Sequence, residues 1–434
     1  MEHNSAISGF YRLTVEERRR IIQEWGQLSD AEARSFDFPP GIDPALVQRM
    51  IENVIGVFPM PLGVATHFRI NSKDYLVPMA IEEPSVVAAA SNSAKVARAK
   101  GGFTAQTTPP VMIGQIQVLE VVDPAAARLR ILADRDALLA HANAKDPMLV
   151  KFGGGARDIE VRIIPSPRGT MLVVHLLVDA RDAGGMNAVN TMCEALAPEI
   201  AKLAGGRVVL RIISNLAVLR LARASATFPA ESLATENASG PEVVESILDA
   251  YTLAAVDPFR CATHNKGIMN GISAVVVATG NDSRAIESGA HTYAAFLARD
   301  GGVIKPLTTY EKDREGNLVG TIELPVAVGL IGGATAVHPT AKANVKLLGV
   351  KGAQELAHVL AAVGLAQNFG ALRALATEGI QRGHMGLHAR NIATTAGARP
   401  EEIDAVVTRL IAEHAIRIDR AKEILEELRR GAGA

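Results

Sequence analysis

Two cysteines, one tryptophan and five tyrosines are all that 434 residues contain of those types. Cys193 and Cys261 both lie in apolar contexts. A disulfide-stapled scaffold is thereby excluded, and buried thiols in a reducing compartment are expected. Aromatics make up 4% of the chain, too few for base-stacking platforms. Charge of one sign is missing as well: Lys+Arg 45 against Asp+Glu 46 leaves a net charge of -1. No basic field exists to hold nucleic acid or an anionic membrane. No apolar run is long enough to span a bilayer; the 326–336 stretch is short and glycine-rich. The first thirty residues include Glu16, Glu17, Arg18, Arg19 and Arg20 and lack the apolar centre of an export signal. The expected setting is the cytoplasm, with neither nucleic acid nor membrane as partner. Phosphate-loop signatures are missing too. Gly153, Gly154 and Gly155 precede a strand-like segment, whereas a dinucleotide fingerprint needs strand, glycines and helix in that order.

What remains is an ordinary globular composition, 48% hydrophobic and 21% charged, too long for one core. Thr14 to Glu17 fits a capping box for a helix running toward Leu28. A second helix is expected over 45–53. A hairpin follows at 68–78, then an alanine-rich helix over 85–100 opened by Pro84. The next segment reads as strand 111–122, helix 124–143, strand 158–164, strand 170–179, helix 187–203 and strand 207–214. That is β-α-β-β-α-β, the split βαβ pattern of a ferredoxin-like unit. After it come a helix over 242–256 behind Pro241, a strand over 274–278, and a helix over 282–299. A strand over 318–328 and a long alanine-rich helix over 355–378 follow. Glycines at 379, 383 and 386 precede two amphipathic helices near 400–414 and 416–430. The fold class is therefore α/β in the broad α+β sense. A large helix-rich α/β domain (1–109 and 217–378) carries an inserted ferredoxin-like domain (110–216). A small helical cap (379–434) ends the chain.

The stretch 257–282 carries the most chemistry. Lys266 stands between Asn265 and Gly267, and Asp282 follows an apolar run. A lysine among small and apolar residues is either a catalytic cation or a solvated one. Glu83, ahead of Pro84, reads as a helix-start carboxylate or as a proton donor. A helix N-terminus favours the ionised form, so a donor there needs burial or a second acid, such as Asp282, to hold its proton. The loop Asp182-Ala183-Gly184-Gly185-Met186-Asn187 joins a strand to a helix. It is either a plain connection or a pyrophosphate cradle at a helix N-terminus. His384 and His388 have zinc-ligand spacing, but Met385 stands where a metalloprotease needs its glutamate. No metal site is expected. His384 reads instead as a general acid on a glycine-flanked segment, or as a packing histidine.

Eight segments in order resemble the soluble, prokaryotic-type (class II) 3-hydroxy-3-methylglutaryl-CoA (HMG-CoA) reductases. They are 52–56, 82–85, 182–187, 257–267, 279–282, 329–335, 366–368 and 383–391. The resemblance implies reduction of HMG-CoA to mevalonate and CoA by two hydride transfers, through mevaldyl-CoA and mevaldehyde. It implies that Lys266 holds the carbonyl oxygen and that Asp282 positions Lys266. Glu83 would give a proton to the aldehyde oxygen, and His384 would protonate the CoA thiolate. Ser85, Arg260, Asn270 and Asn368 would hold the substrate's carboxylate and hydroxyl groups. The inserted domain would bind the nicotinamide cofactor through Asp182, Ala183, Gly184, Gly185, Met186 and Asn187. Asp146 would lie near the adenosine ribose, an acid that favours NAD (NADH) over NADP. Gly184 departs from the family, which carries methionine there. A homodimer with 52–56 at the interface, and a cap closing over the site, are further implications. Two other readings stand beside this one: a Schiff-base lyase acting through Lys266, and a non-catalytic CoA- or nucleotide-binding module.

Overall fold

The structure, a computed structural model, describes residues 5–332, 337–377 and 389–431. It divides into two compact units, up to Pro61 and from Leu62 onward. In the first, Thr14 and Glu17 form the expected capping box on helix Val15–Gly26. The basic run on that helix does more than solvate it. Arg18 is buried and donates to the carbonyls of Phe10, Tyr11 and Val54. Arg19 donates to the carbonyls of Ile55 and Phe36. The family-like segment 52–56 is thus held through its backbone. The expected 45–53 helix shrinks to Pro44–Gln48, with Arg49 as its cap, and Asn53 adopts a positive φ of 55°.

The second unit holds two sheets. The strands are β1 (Leu62–Ile70), β2 (Lys73–Ala80), β3 (Phe103–Thr107), β4 (Val111–Leu119), β5 (Gly155–Ile164), β6 (Met171–Asp179), β7 (Arg207–Ser214), β8 (Leu221–Phe228), β9 (Thr308–Lys312) and β10 (Leu318–Pro325). A six-stranded sheet runs β2-β1-β3-β8-β10-β9, and a four-stranded sheet runs β5-β6-β4-β7. The latter is antiparallel throughout, which is the ferredoxin-like order. Its helical face is filled by helices Pro124–Ala133, Arg135–Asn143 and Met186–Ala204 over a core that includes Ile116, Leu176 and Met192. Cys193 lies in that core, and Cys261 is also buried; both are free thiols. A third, separate core around Val406, Leu410 and Ile424 holds 389–431 together.

The large core lies between the six-stranded sheet and the long helix Ala353–Ala376. Phe369 on that helix stacks on Phe228 of β8 with ring centroids 3.7 Å apart. This helix is long and apolar enough to cross a membrane, but two thirds of its apolar window is buried in the protein. No other described helix meets that test.

Several expectations fail for physical reasons. Residues 274–278 are not a strand. They finish helix Pro258–Ala278, capped by Asp257 with Pro258 in the first turn. A short β-branched run reads the same for a buried helix as for a strand. What decides is packing against Ala353–Ala376, where Gly271 and Gly364 let the two helices approach. A Cβ on Gly271 would lie 2.9 Å from the Gln367 Cβ, and one on Gly364 would lie 2.7 Å from the Ile272 Cδ1. The 124–143 helix breaks at Asp134, which ends one helix and begins the next. Pro84 precedes the cap rather than opening the helix, since Ser85 is the N-cap of Val86–Arg98. β3, β8 and β9, together with helix Pro339–Leu348, have no counterpart in the expected list. β8 is alanine-rich, and strand propensity in such a segment comes from its neighbours.

Candidate active site

Helix Pro258–Ala278 displays Lys266 and Asn270 one turn apart, on the same side. The loop after β2 brings Glu83 to them. Glu83 Oε2 accepts from Lys266 Nζ at 3.0 Å and from Asn270 Nδ2 at 3.2 Å. The Lys266 side chain is 60% exposed and that of Glu83 34%, so the pair is open to a ligand from solvent. Two residues on from Glu83, Ser85 caps its helix with a left-handed φ of 72° and no side-chain cap bond. Such strain in a non-glycine residue costs about 1 kcal/mol or more and gathers at functional sites. Arg260, at the start of the lysine helix, is half-buried, and burial holds its guanidinium below its ordinary range. Among the described residues it has no carboxylate ion-pair partner, which leaves its fork available to an incoming carboxylate.

Asp282 does not touch Lys266. Its Oδ1 accepts from the N–H groups of Arg284 (3.0 Å) and Ala285 (3.1 Å) as the cap of helix Ser283–Phe296, and it pairs with Arg284 at 3.6 Å. Asn368 is likewise engaged. Its Oδ1 accepts from Thr308 and Tyr310, each at 2.9 Å, and its Nδ2 donates to the His264 carbonyl at 3.3 Å. At 1% exposure it braces the lysine helix from within. His384 and His388 lie outside the described residues, as does much of the glycine-rich segment before them.

At the insert, Gly155 of β5 and Val111 of β4 both pair with Asp179 at the end of β6. Asp146, the 180–187 loop and the crossings to the large sheet therefore gather at one end of the four-stranded sheet. Asp146 caps Pro147–Lys151 by accepting from the Leu149 N–H at 2.9 Å. Asp182 reaches the other way, accepting from Ala353 N at 2.7 Å at the head of the long helix. Gly185 caps Met186–Ala204 with φ 92°. A Cβ there would lie 2.9 Å from that of Ala180. Gly184 is roomier: its added Cβ would meet only Met186 Cε, at 3.2 Å. The loop thus offers bare backbone at a helix N-terminus, which fits a pyrophosphate. Among the described residues no His/Cys/Asp/Glu cluster suits a metal.

The profile of the hydroxymethylglutaryl-coenzyme A reductase family matches residues 14–389. The chain is 60% identical to the 3-hydroxy-3-methylglutaryl-coenzyme A reductase of Archaeoglobus fulgidus over 426 residues, 98% of this chain and 95% of that protein. The chain belongs to the HMG-CoA reductase family. It is also 32% identical to a probable HMG-CoA reductase of Borreliella burgdorferi, over 88% of this chain and 85% of that one. Its structure resembles the class II HMG-CoA reductase of Streptococcus pneumoniae bound to NADPH, with TM-score 0.75 and 40% identity, covering 96% of this chain and 100% of that chain. The reaction is the reduction of HMG-CoA to mevalonate, an oxidoreductase step of isoprenoid metabolism. Neither the Schiff-base lyase nor the non-catalytic module finds support in these relatives.

Sequence reasoning missed two buried polar groups that lie beside the candidate residues. One is His264, whose Nε2 pairs with Thr308 Oγ1 at 2.6 Å; the other is Arg220. Both left a signal. His264 stands two residues before Lys266, and Arg220 is a lone charge in the apolar run 216–222. Burial pushes His264 down to about 3 from its ordinary 6.5, and Arg260 nearby adds to the shift. Its folded value lies below its unfolded one, so its contribution is intact above pH 6.5 and is lost as pH falls toward 3. Acidification from pH 7 to pH 4 should cost the folded state on the order of 3 kcal/mol through this group. The Tm of the wild type should therefore fall more steeply than that of His264→Gln in thermal melts across that range. Parallel slopes would remove His264 from the acid response.

Proposed function

We propose that Lys266 is the cation that holds the thioester carbonyl oxygen of HMG-CoA, and later the aldehyde oxygen, as negative charge develops on it. The observation that carries this reading is the bond from Lys266 Nζ to Glu83 Oε2 at 3.0 Å, with Asn270 on the same oxygen. It joins a cation, an acid and an amide donor from segments far apart in sequence. A preorganised donor of this kind typically contributes about 3–4 kcal/mol to a barrier. Glu83, hydrogen-bonded to that cation, is the proton source for the aldehyde oxygen. Asp282 acts on Lys266 by position and field, since its hydrogen bonds go to its own helix. Arg260 takes the substrate carboxylate. Ser85 and Asn270 line the same opening, and Asn368 holds the lysine helix in register beneath it. His384 protonates the departing CoA thiolate, and the 389–431 helices form part of a flap that closes over the site.

The nicotinamide cofactor supplies hydride for both reductions. The 182–187 loop binds its pyrophosphate, and Asp146, on the same end of the insert, accepts from the ribose hydroxyl. An acid at that position repels a 2′-phosphate, so we infer a preference for NADH, although the pneumococcal relative has NADPH bound. We infer a homodimer as well. Ile51 (61% exposed) and Phe58 (92% exposed) flank the 52–56 segment, and exposed apolar side chains so placed suit a second copy of the chain. The enzyme is inferred to work in the cytoplasm, in keeping with its two unpaired thiols.

Loss of nicotinamide absorbance with HMG-CoA tests the central reading. Lys266→Ala should lower kcat at least a hundredfold while HMG-CoA still binds. His384→Gln should impair HMG-CoA reduction more than reduction of free mevaldehyde. Near-normal turnover by the lysine variant would defeat the assignment. Asp146→Ala should narrow the NADH-to-NADPH ratio of kcat/KM, and an unchanged ratio would remove the ribose contact. Sedimentation of Phe58→Asp should show a shift from dimer toward monomer; an undisturbed dimer would move the interface elsewhere.

A further inference from the structure

We propose that Arg220 is a positioning residue of the cofactor site, a buried guanidinium that shapes the 181–184 loop from beneath and adds positive charge below the pyrophosphate. The proposal rests on the reading of that loop as the pyrophosphate site. Arg220 lies between β7 and β8, where the chain returns from the insert to the large sheet, and it is 5% exposed. Its Nη1 donates to the carbonyls of Ala183 (3.0 Å) and Gly184 (3.4 Å). Its Nη2 donates to the carbonyls of Arg181 (3.5 Å) and Val328. Among the described residues it has no carboxylate within ion-pairing distance. Its hydrogen-bond partners are carbonyls alone, and Asp179 and Asp182 act on it only through space. Burial pushes it down to about 10, while Asp179 and Asp182 favour its charge, so it stays protonated at neutral pH.

The geometry has a consequence on the loop's far side. In a trans peptide the C=O and the following N–H point in opposite directions. Drawing the carbonyls of Ala183 and Gly184 toward Arg220 turns the N–H groups of Gly184 and Gly185 away from it. Among the described residues the Gly185 N–H has no acceptor, although Gly185 is buried, while Gly184 N lies against Gly329, where an added Cβ would be 2.4 Å from it. Unpartnered buried N–H groups are uncommon in folded proteins and point to a ligand. At the N-cap of Met186–Ala204 such an N–H is placed to meet an anion. Arg220 ties the same loop to the 328–331 segment. There Ala183 bridges Ile331, Leu330 N donates to the Asp182 carbonyl at 2.9 Å, and Gly329 N donates to Asn281 beside Asp282 at 2.8 Å. The cofactor loop and the Asp282 turn are thus joined through one buried cation and one hydrogen-bonded strap.

The test compares Arg220→Met, similar in length but neutral, with Arg220→Lys, charged but unable to span four carbonyls. Quenching of NADH and NADPH fluorescence gives cofactor Kd without HMG-CoA, calorimetry gives HMG-CoA Kd, and hydrogen exchange follows residues 181–187. Arg220→Met should raise cofactor Kd about tenfold or more and speed exchange in the loop, with HMG-CoA Kd unchanged. Arg220→Lys should recover part of the affinity through charge alone. Folded Arg220→Met with wild-type cofactor Kd overturns the proposal. If that variant does not fold, wild-type Kd in Arg220→Lys does the same. The underlying loop reading is tested separately in the wild type, where bound cofactor should slow exchange at 182–187. Absence of that protection sinks the reading and the proposal with it. Protection combined with unaffected variants sinks only the role of Arg220.

Discussion

The site depends on how closely helix Pro258–Ala278 lies on helix Ala353–Ala376. Gly271 and Gly364 are the points of contact, and a side chain at either would push the helices apart. That approach carries Lys266 and Asn270 to Glu83. It also buries Asn368 where it accepts from Thr308 and Tyr310 and donates to the His264 carbonyl. The polar cluster is nearly closed upon itself. In a low-dielectric interior such bonds are strong and the cost of leaving one unmade is high. The cluster therefore fixes the rotation of the lysine helix as firmly as the apolar packing fixes its distance.

The division of labour between exposed and buried groups follows. Lys266, Glu83 and Arg260 keep enough exposure to meet a ligand, while His264, Asn368 and Arg220 do not. The buried set holds backbone in place: a helix in one case, a loop in the other. A similar use of arginine occurs in the first compact unit, where Arg18 and Arg19 hold the carbonyls of Val54 and Ile55. Arginine suits this work because its fork donates in several fixed directions without losing its charge. The insert adds the remaining part. Its antiparallel pairing sets the ends of β4, β5 and β6 side by side, and Asp146 and the 180–187 loop lie toward that same end.

Much of the architecture could be read before any coordinates. The βαββαβ order, the capping box at Thr14 and the long apolar helix follow from local signals: period, proline position and cap chemistry. So does the candidate list around Lys266, through motifs that occur in order along the chain. Where local signals were ambiguous, the reading erred. The valine run after Ser273 carries the residue types of a strand, although its partner is a helix. β8, with its small residues, left no strand signal at all.

The sequence by itself determined the family, the ferredoxin-like insert and which side chains are available for chemistry, because those depend on residue types at fixed spacings. Only the tertiary structure decided which of those side chains meet. Glu83 and Lys266 lie far apart along the chain and touch only because the turn after β2 packs beside the lysine helix. Asp282 and Asn368, alike in sequence promise, are drawn instead into a cap and a buried cluster. Arg220, unremarked as one charge in an apolar run, becomes the support of a loop because burial left backbone carbonyls as its only ligands.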